Sequence, residues 1–207
     1  MLVTFLAMDT WTLITFLGAS ALLFLTPGSD MMFAIASGMS GGPKVGLAAA
    51  AGIALGMLFH VILAAAGLAA LIIATPVALD VIRYVGAAYL AYLAYRTWFA
   101  VTELHTEPVK PDLGRAFRRG LLTNIFNPKV ALFVLAFLPQ FTNPAIGPIW
   151  QQILILGIIL AFGGLIFKSI YGGFAGAMAT RVRRHAKLMN KISATVFGGL
   201  AARLALS

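Results

Sequence analysis

Cysteine is absent from the 207 residues, and charge is scarce, with Asp, Glu, Lys and Arg making up 10% of the chain against roughly 25% in an ordinary soluble domain. The missing cysteine excludes disulfide staples, thiolate metal sites, cysteine nucleophiles and dithiol relays. Acids are scarcer than bases, six against fifteen. The motifs that would announce other chemistry are missing too. No G-x-x-x-x-G-K-[ST] run occurs, so the chain carries no nucleotide-driven motor. Charges inside apolar runs are few, which leaves an enzyme little to work with. His60, His105 and His185 fall in separate segments without ligand spacing, so neither a metal nor another cofactor is expected. A net charge of +9 without aromatic-interleaved basic patches argues against nucleic-acid binding.

What the chain has in abundance is apolar surface. Hydrophobic residues make up 61% and the mean hydropathy is +0.96. Disorder is excluded by these values, and a soluble globule of this size could not bury so much. They predict an all-α membrane protein, one bundle with no soluble domain attached, whose first partner is the lipid bilayer. Six apolar stretches run over 11–26, 45–74, 77–99, 120–141, 149–178 and 192–206. A spanning helix needs about 20 apolar residues, so six transmembrane helices are expected. Period-two alternation is missing, which disfavours a barrel. Residues 1–10 hold no Lys or Arg and one Asp, unlike the basic start of a signal peptide, so the first stretch reads as a retained span.

The basic residues set an orientation. The first, third and fifth loops hold Lys44; Arg96, Lys110, Arg115, Arg118 and Arg119; and Arg181, Arg183, Arg184, Lys187 and Lys191. Arg83 and Arg203 alone fall on the other side. The positive-inside rule then puts the basic loops in the cytoplasm and both termini outside, Ser207 included. The polar connector 102–119 divides a single domain, 1–207, into halves 1–101 and 120–207 with three spans each. An odd number per half is the arithmetic of an inverted repeat, common in secondary transporters.

Two places break an apolar stretch, one near Pro27 and one near Pro128. The first is Thr26-Pro27-Gly28-Ser29-Asp30, the second Asn124-Ile125-Phe126-Asn127-Pro128-Lys129. Proline removes a backbone donor and clashes with the preceding turn, and Ser29 or Asp30, and Asn127, are cap-type residues for the helix that follows. Broken helices expose N–H and C=O groups that can hold a charged solute. Asp30 is the only acid flanked on both sides by long apolar runs, suited either to a proton or substrate ammonium or to a cap at the surface. Lys129 suits a substrate carboxylate, or snorkels to the interface. His60 reads as a proton relay or a helix–helix hydrogen bond. Lys168 is expected to snorkel toward the basic fifth loop. Gln140 and Tyr84 are plausible lining or interface residues, and Trp98 and Trp150 fit interfacial belts. Gly52 with Gly56, and Gly172 with Gly176, are small-xxx-small pairs suited to close helix packing.

These stretches resemble the lysine exporter (LysE/RhtB-type) amino-acid efflux family over nearly the whole chain. The resemblance rests on FLTPGSDMMF (Phe24–Phe33), GLAAAAGIALGMLFH (Gly46–His60), YVGAAYLAYLAYRT (Tyr84–Thr97), FRRGLLTNIFNPKVALFVLAFLPQF (Phe117–Phe141) and GGLAARLAL (Gly198–Leu206). The T-P-G and N-P-K motifs together are its specific part. Ser29 stands where the family usually has a second proline. The resemblance implies a six-span secondary exporter of amino acids or related small zwitterionic metabolites in the bacterial inner membrane, driven by the proton gradient. A homodimer is compatible with it. The residues leave open a passive small-solute channel and a non-catalytic membrane subunit of a larger complex.

Overall fold

A computed structural model describes residue 4 and residues 7–74, 78–100 and 112–206. Helix α1 (Thr10–Leu25) starts at Asp9, whose carboxylate accepts from the Thr12 N–H at 3.0 Å. It stops at Thr26, the residue before Pro27, which is held extended at φ −69° and ψ 120° because proline disfavours the α region in its predecessor. Helix α2 (Ser29–Gly41) follows after Gly28 and ends at Gly42, whose φ of +82° favours glycine. Helix α3 (Pro43–Ala74) begins on a proline, the residue best suited to a first helical position. Helix α4 covers Ala78–Trp98.

Helix α5 (Leu113–Ile125) is capped by Asp112, which accepts from the Arg115 N–H at 3.0 Å. That bond holds the Asp112 carboxyl below the ordinary carboxylate range. Helix α6 (Pro128–Phe137) runs into two short 3-10 turns, Leu138–Phe141 and Pro144–Ile146. Helices α7 (Ile149–Gly173) and α8 (Ala175–Leu206) meet at Phe174.

The structure refines the expected spans. Among the described residues two helical segments are long and apolar enough to cross a bilayer alone, Pro43–Gly67 and Ile149–Gly173. Two bent pairs reach the same length together, α1 with α2 at 55° and α5 with the Pro128–Phe141 segment at 56°. By length and composition that gives up to four spans among the described residues, where six are expected from the whole sequence. The remaining two stretches fall short for different reasons. Helix α4 carries Arg96 and Tyr84, Tyr89, Tyr92 and Tyr95, which lower its hydropathy. Helix α8 absorbs the expected fifth loop. Its basic first half contains no proline and is rich in good helix formers, leaving residues 192–206 as its only long apolar part. The connector is also shorter than expected, because Leu113–Arg119 belongs to α5. Residues 102–111 lie outside the described residues.

Packing is by close backbone approach. A Cβ on Gly52 would run into the Phe117 carbonyl oxygen, and one on Gly56 would lie 2.7 Å from the Asn124 Cβ, so α3 lies directly against α5. Gly172 does the same for α7 against α3, where its Cβ would come 2.7 Å from the carbonyl carbon of Gly46. Gly176 departs from the expected pair: it is exposed and a Cβ there would meet nothing within 4 Å. It lies beyond the break at Phe174, so the four-residue spacing no longer keeps it on the face of Gly172.

A second packing element is aromatic. Phe133, Phe137 and Phe141 stack along one face of α6 and its 3-10 extension, with ring centroids 4.4 and 4.8 Å apart, and Phe16 of α1 joins them. Large apolar side chains such as Ile62, Leu63, Val85 and Phe162 remain exposed, a surface suited to lipid. Trp98 and Trp150 are also exposed, as interfacial belts require.

Candidate functional site

The two helix breaks meet. Asp30, in the first turn of α2, is 6% exposed. One of its oxygens accepts from the Asn124 amide at 2.7 Å, the other from the Asn127 amide at 3.0 Å. Asn127 also donates to the Ser29 hydroxyl at 2.9 Å. One carboxylate from the first break is thus tied to two amides of the second, from residues more than 90 positions away. Hydrogen bonds to a charged acceptor contribute about 1.5–3 kcal/mol each. The pair of amides is therefore a substantial clamp between the two bent helices.

The sequence expected Ser29 or Asp30 to cap α2. Instead the cap is Gly28, extended at φ −168°, with no side-chain hydrogen bond to the helix end. Asp30 cannot cap because its oxygens are committed to Asn124 and Asn127. Pro27 and Gly28 provide the turn that brings it there. The second break matches expectation in its cap and differs in its free groups. Asn127 caps α6 by accepting from the Lys129 N–H at 3.1 Å, and Pro128 takes the first helical position. The N–H groups of Val130 and Ala131 bond to the Asn127 carbonyl. The start of α6 therefore offers no unclaimed N–H at residues 129–131. Tyr89 from α4 steadies this break by donating to the Pro128 carbonyl at 3.3 Å.

His60 is buried in α3, and its Nε2 lies 3.0 Å from the Asn124 carbonyl. A carbonyl only accepts, so Nε2 carries the proton. His60 thus braces the end of α5, at the residue whose side chain holds Asp30.

Next to the clamp lies a cavity of about 30 Å³ lined by Thr26, Gly28, Asp30, Asn127, Lys129 and Lys168 among others. That is room for one or two waters and too little for an amino acid. Thr26 donates to the Leu22 carbonyl at 2.7 Å and lies 2.6 Å from the Ser193 hydroxyl of α8, closing one side. The Lys129 ammonium sits over the Phe197 ring at 6.0 Å from its centroid, and the Lys168 ammonium over Phe24 at 5.1 Å.

Lys168 is the site residue that sequence reasoning misplaced. It does not snorkel: it is 7% exposed, and it faces the clamp. A signal was available, since Lys168 lies 13 positions before Arg181, about 20 Å of helix and far beyond the reach of a lysine side chain. Ser193 and the two rings carried no signal, because hydroxyl and aromatic residues are common throughout the chain. Gln140 lies elsewhere, bonded to the Ala136 carbonyl at 2.9 Å and lining a separate hollow of about 210 Å³ near Asp9 and Arg203. Tyr84 is exposed on α4.

The family model described as LysE type translocator matches residues 21–207. A leucine efflux protein of Salmonella choleraesuis is 34% identical over 198 residues, covering 92% of this chain and 93% of its own. A homoserine/homoserine lactone efflux protein of Salmonella typhi is 31% identical over 194 residues, covering 92% and 94%. An uncharacterized membrane protein of Vibrio cholerae serotype O1 is 30% identical over 202 residues, covering 96% and 98%. No solved structure matches the chain.

Proposed function

Because the chain belongs to the LysE type translocator family, and is thus a membrane transporter rather than an enzyme, we propose that it exports an amino acid or related small zwitterion across the bacterial inner membrane by alternating access at the two apposed helix breaks. The observation that carries this reading is the Asp30 clamp. A single carboxylate joins the breaks beside a cavity that also holds two lysines. A cavity too small for the solute must open to admit it, and the carboxylate–amide bonds are what must part. The leucine and homoserine efflux proteins among the relatives support an amino-acid substrate.

Each half contains one bent pair followed by two longer helices, α1/α2 then α3 and α4, and α5/α6 then α7 and α8. The near-equal bends and this matching order support two inverted halves, in which case one half rocks against the other. Asp30 is the group that would exchange a substrate ammonium or proton for its amide partners. Counterflow in proteoliposomes tests the function. Accelerated exchange of labelled leucine or homoserine by internal unlabelled solute, driven further by a pH gradient, is expected. Uncoupled flux would indicate a channel, and silence an accessory subunit.

Orientation is tested separately. The bias of basic residues supports termini outside and the Arg181–Lys187 segment inside. The cysteine-free chain needs no prior replacement. An impermeant thiol reagent is expected to label Leu206→Cys in intact cells and to miss Lys187→Cys. The reverse pattern would overturn the orientation.

The second break yields a further pair of outcomes. Lys129→Met removes a charge from the cavity and leaves Asn127 and Pro128 in place, so the KM for a carboxylate-bearing solute is expected to rise about tenfold, which corresponds to about 1.4 kcal/mol. Pro128→Ala restores an N–H and lets α5 and α6 approach one continuous helix, so turnover is expected to fall more than affinity. Equal effects of the two variants on KM and turnover would contradict the separate roles.

A further inference from the structure

Three observations around the cavity point to a ligand that the clamp itself does not explain. Helix α2 begins without a side-chain cap, since Gly28 has none to offer and Asp30 turns away to the amides. Its start opens on the cavity at Gly28, Ser29 and Met31. An uncapped helix start presents free N–H groups and favours an anion. Independently, Lys168 brings a buried ammonium to the same cavity. Among the described residues it makes no hydrogen bond or ion pair; its ammonium lies over the Phe24 ring and within electrostatic reach of Asp30. A buried ammonium whose hydrogen-bond donors are all unpaired is costly unless a ligand engages them. Finally, the cavity holds two ammoniums, Lys129 and Lys168, against one carboxylate, and that carboxylate is already satisfied by amides.

From this we propose that the carboxylate of the transported solute binds at the uncapped start of α2 between Lys168 and Lys129, so that Lys168 is a substrate-binding residue and the paired ammoniums exclude solutes with a cationic side chain. The proposal rests on the exporter reading above and narrows its substrate class. The solute carboxylate receives the α2 N–H groups and the Lys168 ammonium. Its own ammonium lies toward Asp30. The remaining walls are Leu23, Phe24, Met31, Met57 and Val130, which suit an uncharged and largely apolar side chain. A second positive charge on the solute would lie in a low-dielectric cavity beside two lysines, where like charges repel strongly.

The test uses the full chain in proteoliposomes, with counterflow of labelled leucine and of labelled homoserine and with leucine, lysine and 3-methylbutylamine as competitors. Wild type is expected to be inhibited by leucine at least tenfold more strongly than by lysine or by the decarboxylated amine. Lys168→Met is expected to raise the leucine KM at least tenfold, and to make lysine at least threefold more potent as an inhibitor than it is of the wild type. Gain of lysine recognition is an effect that loss of folding cannot produce. Lys168→Arg, which keeps the charge, is expected to retain discrimination. The proposal is overturned if Lys168→Met keeps the wild-type KM and selectivity, or if wild type takes lysine as readily as leucine. The second of these needs no variant to fold. Wild-type counterflow with unchanged Lys168→Met behaviour would sink this assignment alone, whereas absence of counterflow with both leucine and homoserine would remove the exporter reading with it.

Discussion

Gly172→Val is expected to leave no monodisperse protein in detergent. At this position α7 touches α2 and α3 through backbone alone. A Cβ on Gly172 would lie 2.7 Å from the carbonyl carbon and oxygen of Gly46. In the reverse direction, Cβ atoms on Gly38 and Gly46 would run into the Gly172 carbonyl oxygen. Overpacking a core that can yield costs about 1–3 kcal/mol. Here the obstacle is the backbone of Gly46 in α3, which no rotamer change relieves. Room for valine requires separating the helices and opening the cluster of Met31, Ala34, Ile35 and Tyr171. The cost therefore lies at the top of that range or above it. Gly176→Val is the matched control. It meets nothing within 4 Å, so its effect is expected to stay within about 0.5 kcal/mol, as for other unconstrained surface changes. Size-exclusion chromatography with a thermal ramp compares the two. A Gly172→Val protein eluting and melting like wild type would show that the helices do not touch here.

Asp30→Asn is expected to lower gradient-free substrate exchange about tenfold and to abolish the acceleration that a pH gradient gives. The change looks conservative in sequence and is not so in this site. A carboxylate accepts through both oxygens, one from Asn124 and one from Asn127. An amide has one acceptor oxygen, and its NH₂ would confront one of those donors. Either Asn124 or Asn127 then loses its partner, and a buried donor left unpaired costs about 1–3 kcal/mol. The first loss weakens the clamp and lowers exchange. The second follows because an amide cannot titrate. The two readouts separate the roles. Gradient acceleration that survives in proportion to the residual exchange would make Asp30 a clamp only. Wild-type exchange would show that the two hydrogen bonds do not govern turnover.

The comparison of these two sites explains how far the sequence could be read. The breaks at Pro27 and Pro128 were legible because proline acts locally, on its own N–H and on its predecessor's conformation. Asn127 was legible as a cap for the same reason, since capping needs only the next two or three residues. Asp30 was legible as unusual, by its isolation among apolar residues. Its partners were not, because nothing local connects position 30 with positions 124 and 127. Gly52 and Gly172 were legible as small residues at close spacing. Gly176 was misread because the bend at Phe174 rotates it off the shared face.

By itself the sequence determined that this is a helical membrane protein and where its two bent pairs break. These properties follow from composition and from short-range backbone chemistry. Tertiary structure decided which residues face one another. Helices α3 and α7 are apolar on nearly every side, so hydrophobic periodicity cannot say which face is buried. Lipid offers no contrast either, being as apolar as leucine. The choice falls to backbone contacts at Gly52, Gly56 and Gly172 and to the Asp30 clamp. Those contacts rotate α7 so that Lys168, the only charge within it, faces the cavity instead of the membrane surface.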